Sequence, residues 1–221
     1  MKKFLVIVTL LTASVATGSQ ISAKPTEIVE WGARAAVDLN LPGKWRSDAG
    51  SVTMYRPGWG ATLGAVCNVW LGRNFFIEPG ISVFYDTYSY KDLIITDETG
   101  STVESDPSLY KVGLRIPVVA GYTFVFSDRF AMSFYTGPEL SYAFAGKTRV
   151  KHKELIGGTD LELFGDDGAQ RRVDCAWKVG VGFPIDDWTI SFATAIGMTD
   201  LMKTGVSFRE NRCTLSLSRY F

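Results

Sequence analysis

The chain has 221 residues, 46% hydrophobic and 13% aromatic, with 23 Lys and Arg against 23 Asp and Glu and a formal net charge of zero. That balance gives no support to nucleic acid or a generally acidic partner. Past the N-terminal leader, no segment approaches the ~20 consecutive apolar residues that a membrane helix needs, so a route into a membrane has to run through strands.

The chain opens MKKFLVIVTLLTASVATGSQISAK, in which Lys2 and Lys3 precede an uncharged apolar run and then small residues. This reads as a Sec signal peptide over residues 1–23, cleaved after Gly18, Ser19 or Ala23, with the mature domain over 24–221. Residues 4–16 would span only ~20 Å as a helix, short of a ~30 Å hydrocarbon core, so a retained anchor is the weaker reading. The first cysteine is Cys67, which leaves no acylation cysteine near the cleavage region.

Eight runs then alternate with period two: residues 31–41, 59–71, 75–88, 109–124, 130–144, 173–184, 188–199 and 212–221. In the first, Trp31, Ala33, Ala35, Val37, Leu39 and Leu41 share one face, and Gly32, Arg34, Ala36, Asp38 and Asn40 share the other. The connections at 72–74, 125–129 and 185–187 are tight, and the other four are longer and polar. Short turns on one rim and long loops on the other predict an all-β fold, an eight-stranded antiparallel up-and-down transmembrane β-barrel located in the outer membrane. Its apolar rows would face outer-membrane lipid and its polar rows would fill the lumen. The opposite orientation, with the apolar rows inside, is a soluble periplasmic lipocalin-like carrier of an apolar ligand.

Composition along the runs favours the membrane orientation. Gly32, Gly60, Gly64, Gly80, Gly113, Gly121, Gly137, Gly180, Gly182 and Gly197 all fall on the polar face, which a narrow lumen would crowd. Aromatics gather in two belts: Trp31, Phe75, Tyr122, Phe124, Phe130, Phe183, Trp188 and Phe221 at the turn rim, and Trp59, Tyr85, Tyr110, Tyr142 and Phe144 at the loop rim. Cys67, Cys175 and Cys213 sit on the apolar face of strands that are not neighbours, so no disulfide and no metal site are expected and the thiols act as small hydrophobes. No cofactor is implied. Pro79, Pro117, Pro138 and Pro184 each remove a ladder donor and call for a bulge, a lumen-facing water or a strand end.

The last strand, RCTLSLSRYF, places Leu215, Leu217 and Phe221 on one face. It resembles the C-terminal signature of outer-membrane barrels that the barrel assembly machinery reads, with Arg219 as a departure near the rim, where an Arg on the lipid face costs only about 0–1 kcal/mol. The stretch LYKVGLRIPVVAGYTFVFSDRFAMSFYTGPELSYAFAG, residues 109–146, and GMTDL at 197–201 resemble the PorT-like outer-membrane β-barrel proteins common in Bacteroidetes. The resemblance implies that Pro117 and Pro138 are family features, and it brings an association with protein secretion without an assigned activity.

The lumen-facing charges are Arg34, Asp38, Glu78, Asp86, Lys111, Arg115, Glu139, Asp174 and Lys178, four positive and five negative. Ionised groups inside a narrow barrel must pair, so the set reads as a plug of ion pairs; a selective narrow pore lined by fixed charges is the rival. A hairpin closing Phe124 against Phe130 would set Arg115 opposite Glu139 as a direct pair. A lipid-modifying enzyme of the hydrolytic kind needs a His beside a Ser, Asp or Glu, and the sole histidine, His152, lies among lysines in a loop, so the protein is read as not an enzyme.

The loop over 145–172 continues the alternation through KTRVKHKE, residues 147–154, with Gly157 and Gly158 to turn it and LELF at 161–164 to return. This predicts a projecting hairpin whose edge could recruit an extracellular or envelope protein partner. Asp166, Asp167 and Gly168 read as a turn, and the acidic loop with Asp92, Asp97, Glu98, Glu104 and Asp106 reads as a solvated surface that could bridge lipopolysaccharide through divalent ions. A structural or surface-binding role for a monomer follows.

Overall fold

The computed structural model describes residues 28–47, 50–72, 74–90, 93–96, 102–105, 108–127, 130–151, 158–165, 168–203 and 205–221. The leader, His152 and the Asp166–Asp167 pair lie outside them, as does most of the acidic loop. The eight long strands are β1 (Val29–Pro42), β2 (Gly58–Trp70), β3 (Phe75–Tyr90), β4 (Ser108–Ser127), β5 (Phe130–Lys151), β6 (Val173–Ile185), β7 (Trp188–Gly197) and β8 (Glu210–Tyr220). Each pairs antiparallel with the next, and β8 returns to β1 in register from Gly32↔Tyr220 to Pro42↔Glu210. The ring is closed, so every strand has a partner on both sides and no barrel edge is left open.

The side-chain alternation resolves the orientation. Leu63, Trp59 and Phe192 on the outward face are 68%, 58% and 52% exposed, while Arg115, Asp38 and Ser218 on the inward face are at 3% or less. A lipocalin-like carrier needs the reverse, and that expectation is overturned: the greasy rows point away from the axis. The three cysteines, all free, lie on the outward face of β2, β6 and β8.

Glycine lets the wall come close where the lumen is tightest. A Cβ on Gly180 would stand 2.4 Å from Cζ of Tyr135, whose ring lies against that strand, and one on Gly137 would stand 2.2 Å from the carbonyl oxygen of Val118. The connection from β6 to β7 is a two-residue turn in which Asp186 takes φ 52°, a left-handed conformation that Asp tolerates better than most residues.

Three expectations change. The β4–β5 strands run on past the predicted turn to Ser127↔Phe130, and a bulge between Phe130 and Ala131 then sets the register so that Phe124 faces Met132. The slip of two positions puts Arg115 opposite Ser141 and Glu139 opposite Pro117, so the predicted Arg115–Glu139 pair does not form. Pro79, Pro117 and Pro138 bring neither a bulge nor a strand end: the ladders skip the neighbouring residue pairs and resume without a shift. Only Pro184 lies at a strand end, one residue before β6 stops. Strand β5 does extend into the third long loop, pairing through Lys147↔Glu162 to Lys151↔Gly158, but the return strand is Gly158–Glu162. Leu163 and Phe164 leave it and turn inward.

There they join the apolar core of the molecule, a cap over the long-loop end of the lumen. Tyr55, Phe84, Tyr88, Leu109, Ala143, Leu163, Phe164, Leu201, Met202 and Phe208 form one buried cluster, with Trp45, Met54 and Tyr90 packed against it. Phe208 is fully buried.

Candidate functional site

The site is the polar lumen, built because alternate residues of every strand point to a common axis. Nearest the short-turn rim are rings: Trp70 packs edge-on against Phe76 at 5.5 Å, and the Trp70 indole donates to Glu30 Oε2 at 2.7 Å. Above them Arg34 donates to Ser218 Oγ at 2.7 Å and pairs with Glu78 at 2.8 Å, and Glu78 also accepts from the Tyr220 hydroxyl.

At mid-depth Arg115 is the hub. It donates to Asp38 Oδ2 and to Thr62 Oγ1, both at 2.8 Å, and pairs with Asp86, while its guanidinium carbon sits 4.2 Å from the Phe84 ring centre. Asp38 also accepts from Thr62 at 2.6 Å and from Thr214 at 2.5 Å. Arg212 pairs with Glu139 and lies 3.6 Å from Asp38, and Lys178 reaches Glu139 at 3.1 Å. Nearer the cap, Lys111 donates to Glu210 Oε1 at 2.6 Å, and Tyr88 donates to the same oxygen at 2.5 Å. Desolvated ions persist when each has a partner, which the mid-depth set supplies, although Asp86 Oδ1, Arg115 Nε and Arg212 Nε are buried without a hydrogen bond.

Of the nine charges singled out in the sequence, eight lie in ion pairs. Asp174 makes none among the described residues, and its Oδ1 has no hydrogen-bond partner. The sequence reading missed Arg212, Glu210 and Tyr220. Arg212 and Tyr220 stand on the polar side of the last strand with Thr214, Ser216 and Ser218, so the same alternation could have found them; Glu210 lies before the predicted strand start. With Arg212, Glu210 and Glu30 at the turn rim included, the lumen charges among the described residues are five positive and seven negative.

Two small cavities lie among the described lumen residues. One, of about 30 Å³, is bounded by Arg34, Asp38, Glu139 and Lys178; the other, of about 20 Å³, lies under the cap by Asp86, Gln170 and Asp174. Each has room for one or two water molecules, and Arg115 and Arg212 line both.

Leu215, Leu217 and Phe221 of the C-terminal strand face outward, and the Phe221 amide donates to the Trp31 carbonyl. Arg219 stacks 5.4 Å from the Trp188 ring centre and 5.5 Å from that of Phe221, which gives the off-pattern charge an aromatic setting at the rim.

A closed antiparallel eight-stranded barrel with an apolar outside and an ionic inside is the architecture of small transmembrane barrels. Residues 19–203 match the family model described as outer membrane protein beta-barrel domain, and the chain belongs to that family. It is a small outer-membrane β-barrel protein. No curated relative matches it. Among solved structures, Neisserial surface protein A is 16% identical with a TM-score of 0.48, covering 88% of this chain and 100% of that one. OprG from Pseudomonas aeruginosa is 9% identical with a TM-score of 0.44, covering 87% and 95%.

Proposed function

We propose that this protein is a non-conducting barrel whose lumen is plugged by its own ion pairs and whose extracellular loops form a platform for binding at the cell surface. One observation carries the reading: Arg115, Asp38, Asp86, Arg212, Glu139 and Lys178, contributed by six of the eight strands, meet across the axis at mid-depth. An eight-stranded barrel is only just wide enough for its own side chains, and these cross-axis pairs occupy that width. The apolar cap adds a second barrier on the long-loop side, the side that faces outward in barrels of this kind.

Planar-bilayer recording tests the reading. The expected result is a silent membrane at any protein load; steady, reproducible unitary steps would overturn the plug. The PorT-like resemblance then implies a docking role in secretion, since a lumen crossed by ion pairs offers no conduit for a chain. In this reading the lumen acids serve the plug and not catalysis: Asp38, Glu78, Asp86, Glu139 and Glu210 are each paired with Arg or Lys. A signal peptide over 1–23, insertion into lipid and delivery by the barrel assembly machinery through Leu215, Leu217 and Phe221 belong to the same reading. So does a monomeric state. The loop over 145–172 contributes to the platform, with Leu163 and Phe164 rooted in the cap.

A further inference from the structure

The cap has an outer side. Its loops are knitted together by backbone hydrogen bonds: Gly43 donates to the Arg209 carbonyl, Arg46 and Ser207 exchange a pair, Arg171 donates to Leu201 and Lys203 to Ala169, all at 2.8–3.0 Å. Along these segments the side chains alternate. Trp45, Gln170, Met202 and Phe208 are turned inward, and the residues beside them, Lys44, Arg46, Arg171, Lys203 and Arg209, are exposed.

The acid in the same segments is Asp200, and it accepts backbone N–H groups from Met202 at 3.1 Å and Phe208 at 3.0 Å. None of Lys44, Arg46, Arg171 and Arg209 makes a salt bridge with a described residue. Lys203 donates to the Gly165 carbonyl. Five basic side chains from three loops therefore cover a cap whose inner side is apolar, and backbone pairing holds them at strand-like spacings of about 4.8 Å between neighbouring segments.

We propose that this basic outer face binds a soluble anionic polysaccharide through its sulfate or phosphate groups. The proposal rests on the platform reading above and names the class of partner. Each exposed cation alone gains little in water, so a ligand profits only by engaging several at once, which a polymer of regularly spaced anions does. Among the described residues the cap's aromatic rings Trp45, Tyr55 and Phe208 pack into or against the cluster, which leaves them poorly placed for stacking nucleic-acid bases. The cations flank the cap residues that close the long-loop end of the lumen.

The test uses the mature protein in neutral phosphatidylcholine nanodiscs, titrated with fluorescent dextran sulfate at several salt concentrations, with uncharged dextran alongside. The expected result is salt-sensitive binding of dextran sulfate alone. K44Q/R46Q/R209Q in one chain should weaken it at least tenfold, and R171Q/K203Q, the other two cations, at least threefold. R219Q, at the opposite rim, should leave it unchanged. Heat-modifiable gel mobility confirms that each variant is folded, and the two basic sets are independent should one fail to fold.

Absence of binding by the unaltered protein overturns the proposal, as does equal loss in R219Q or tighter binding of a single-stranded oligonucleotide. Binding seen only with lipopolysaccharide in the disc also overturns it, because the anion would then belong to the lipid. None of these outcomes alters the conductance result, so failure here and failure of the plug are read separately.

Discussion

Arg115 on β4 places Nη1 2.8 Å from Oδ2 of Asp38 on β1, with two strands between them on one side of the ring and four on the other. The pair spans the lumen; it is not a rung between neighbouring strands. Cross-axis pairs of this kind brace opposite walls, and they are formed only when the whole ring has closed.

Removing the hub leaves Asp86 without a paired cation and Asp38 with only Arg212, 3.6 Å away. Arg115→Ala should destabilise the barrel by about 3–5 kcal/mol, the cost typical of stranding a buried charge. Urea unfolding in lipid vesicles measures it. Asp38→Asn with Asp86→Asn in the same chain should recover part of the loss, and a cost below about 1 kcal/mol for the single variant would mean that water reaches the site freely.

The contact between Gly180 and Tyr135 tests lumen crowding from the other direction. Gly180→Ala would set a methyl 2.4 Å from the ring, so it should cost about 1–3 kcal/mol through overpacking. Tyr135→Ala added to it should relieve the clash, and a double-mutant cycle by the same unfolding assay reads the coupling. Additive effects would show that the ring moves aside.

Leu63 sits midway along β2 on the outward face. Leu63→Arg should cost about 2–4 kcal/mol in vesicles, as a charge on the lipid face near the bilayer midplane does. A substitution at an equally exposed site facing water would be within the noise, so a null result would place β2 out of the hydrocarbon.

The cap should loosen in acid. Slight burial pushes the Asp200 carboxyl up, but the N–H groups of Phe208 and Met202 outweigh it and hold the group below the usual carboxylate range. A lowered folded value means the stabilisation is present above the unfolded value of about 3.9 and is lost as pH falls through the folded value. Amide exchange at Met202 and Phe208 should therefore be slow at neutral pH and speed up in strong acid beyond its intrinsic change. Asp200→Asn should show the faster exchange at neutral pH and lose that extra pH dependence.

Strand number, face assignment and loop asymmetry were legible because each is a local property: period two, glycine on the crowded side, rings at the rims. The nine lumen charges were found by that rule, and Arg212 and Tyr220 were within its reach. The partner of each charge was not legible, since β4 and β5 run on to Ser127↔Phe130 and the Phe130–Ala131 bulge then takes back one position, a net slip of two that no residue type announces. The cap was also hidden: Tyr55, Phe164, Met202 and Phe208 come from three loops that read as solvated, and only folding brings them together.

By itself the sequence determined which residues share each face of a strand, because alternation fixes the two faces whatever the strand pairs with. Only the tertiary structure decided which carboxylate meets which cation and what lies over the lumen mouth. Those contacts join residues far apart in the chain, such as Arg115 with Asp38 and Lys111 with Glu210, and depend on ring closure and on the register of β4 against β5, not on any local pattern.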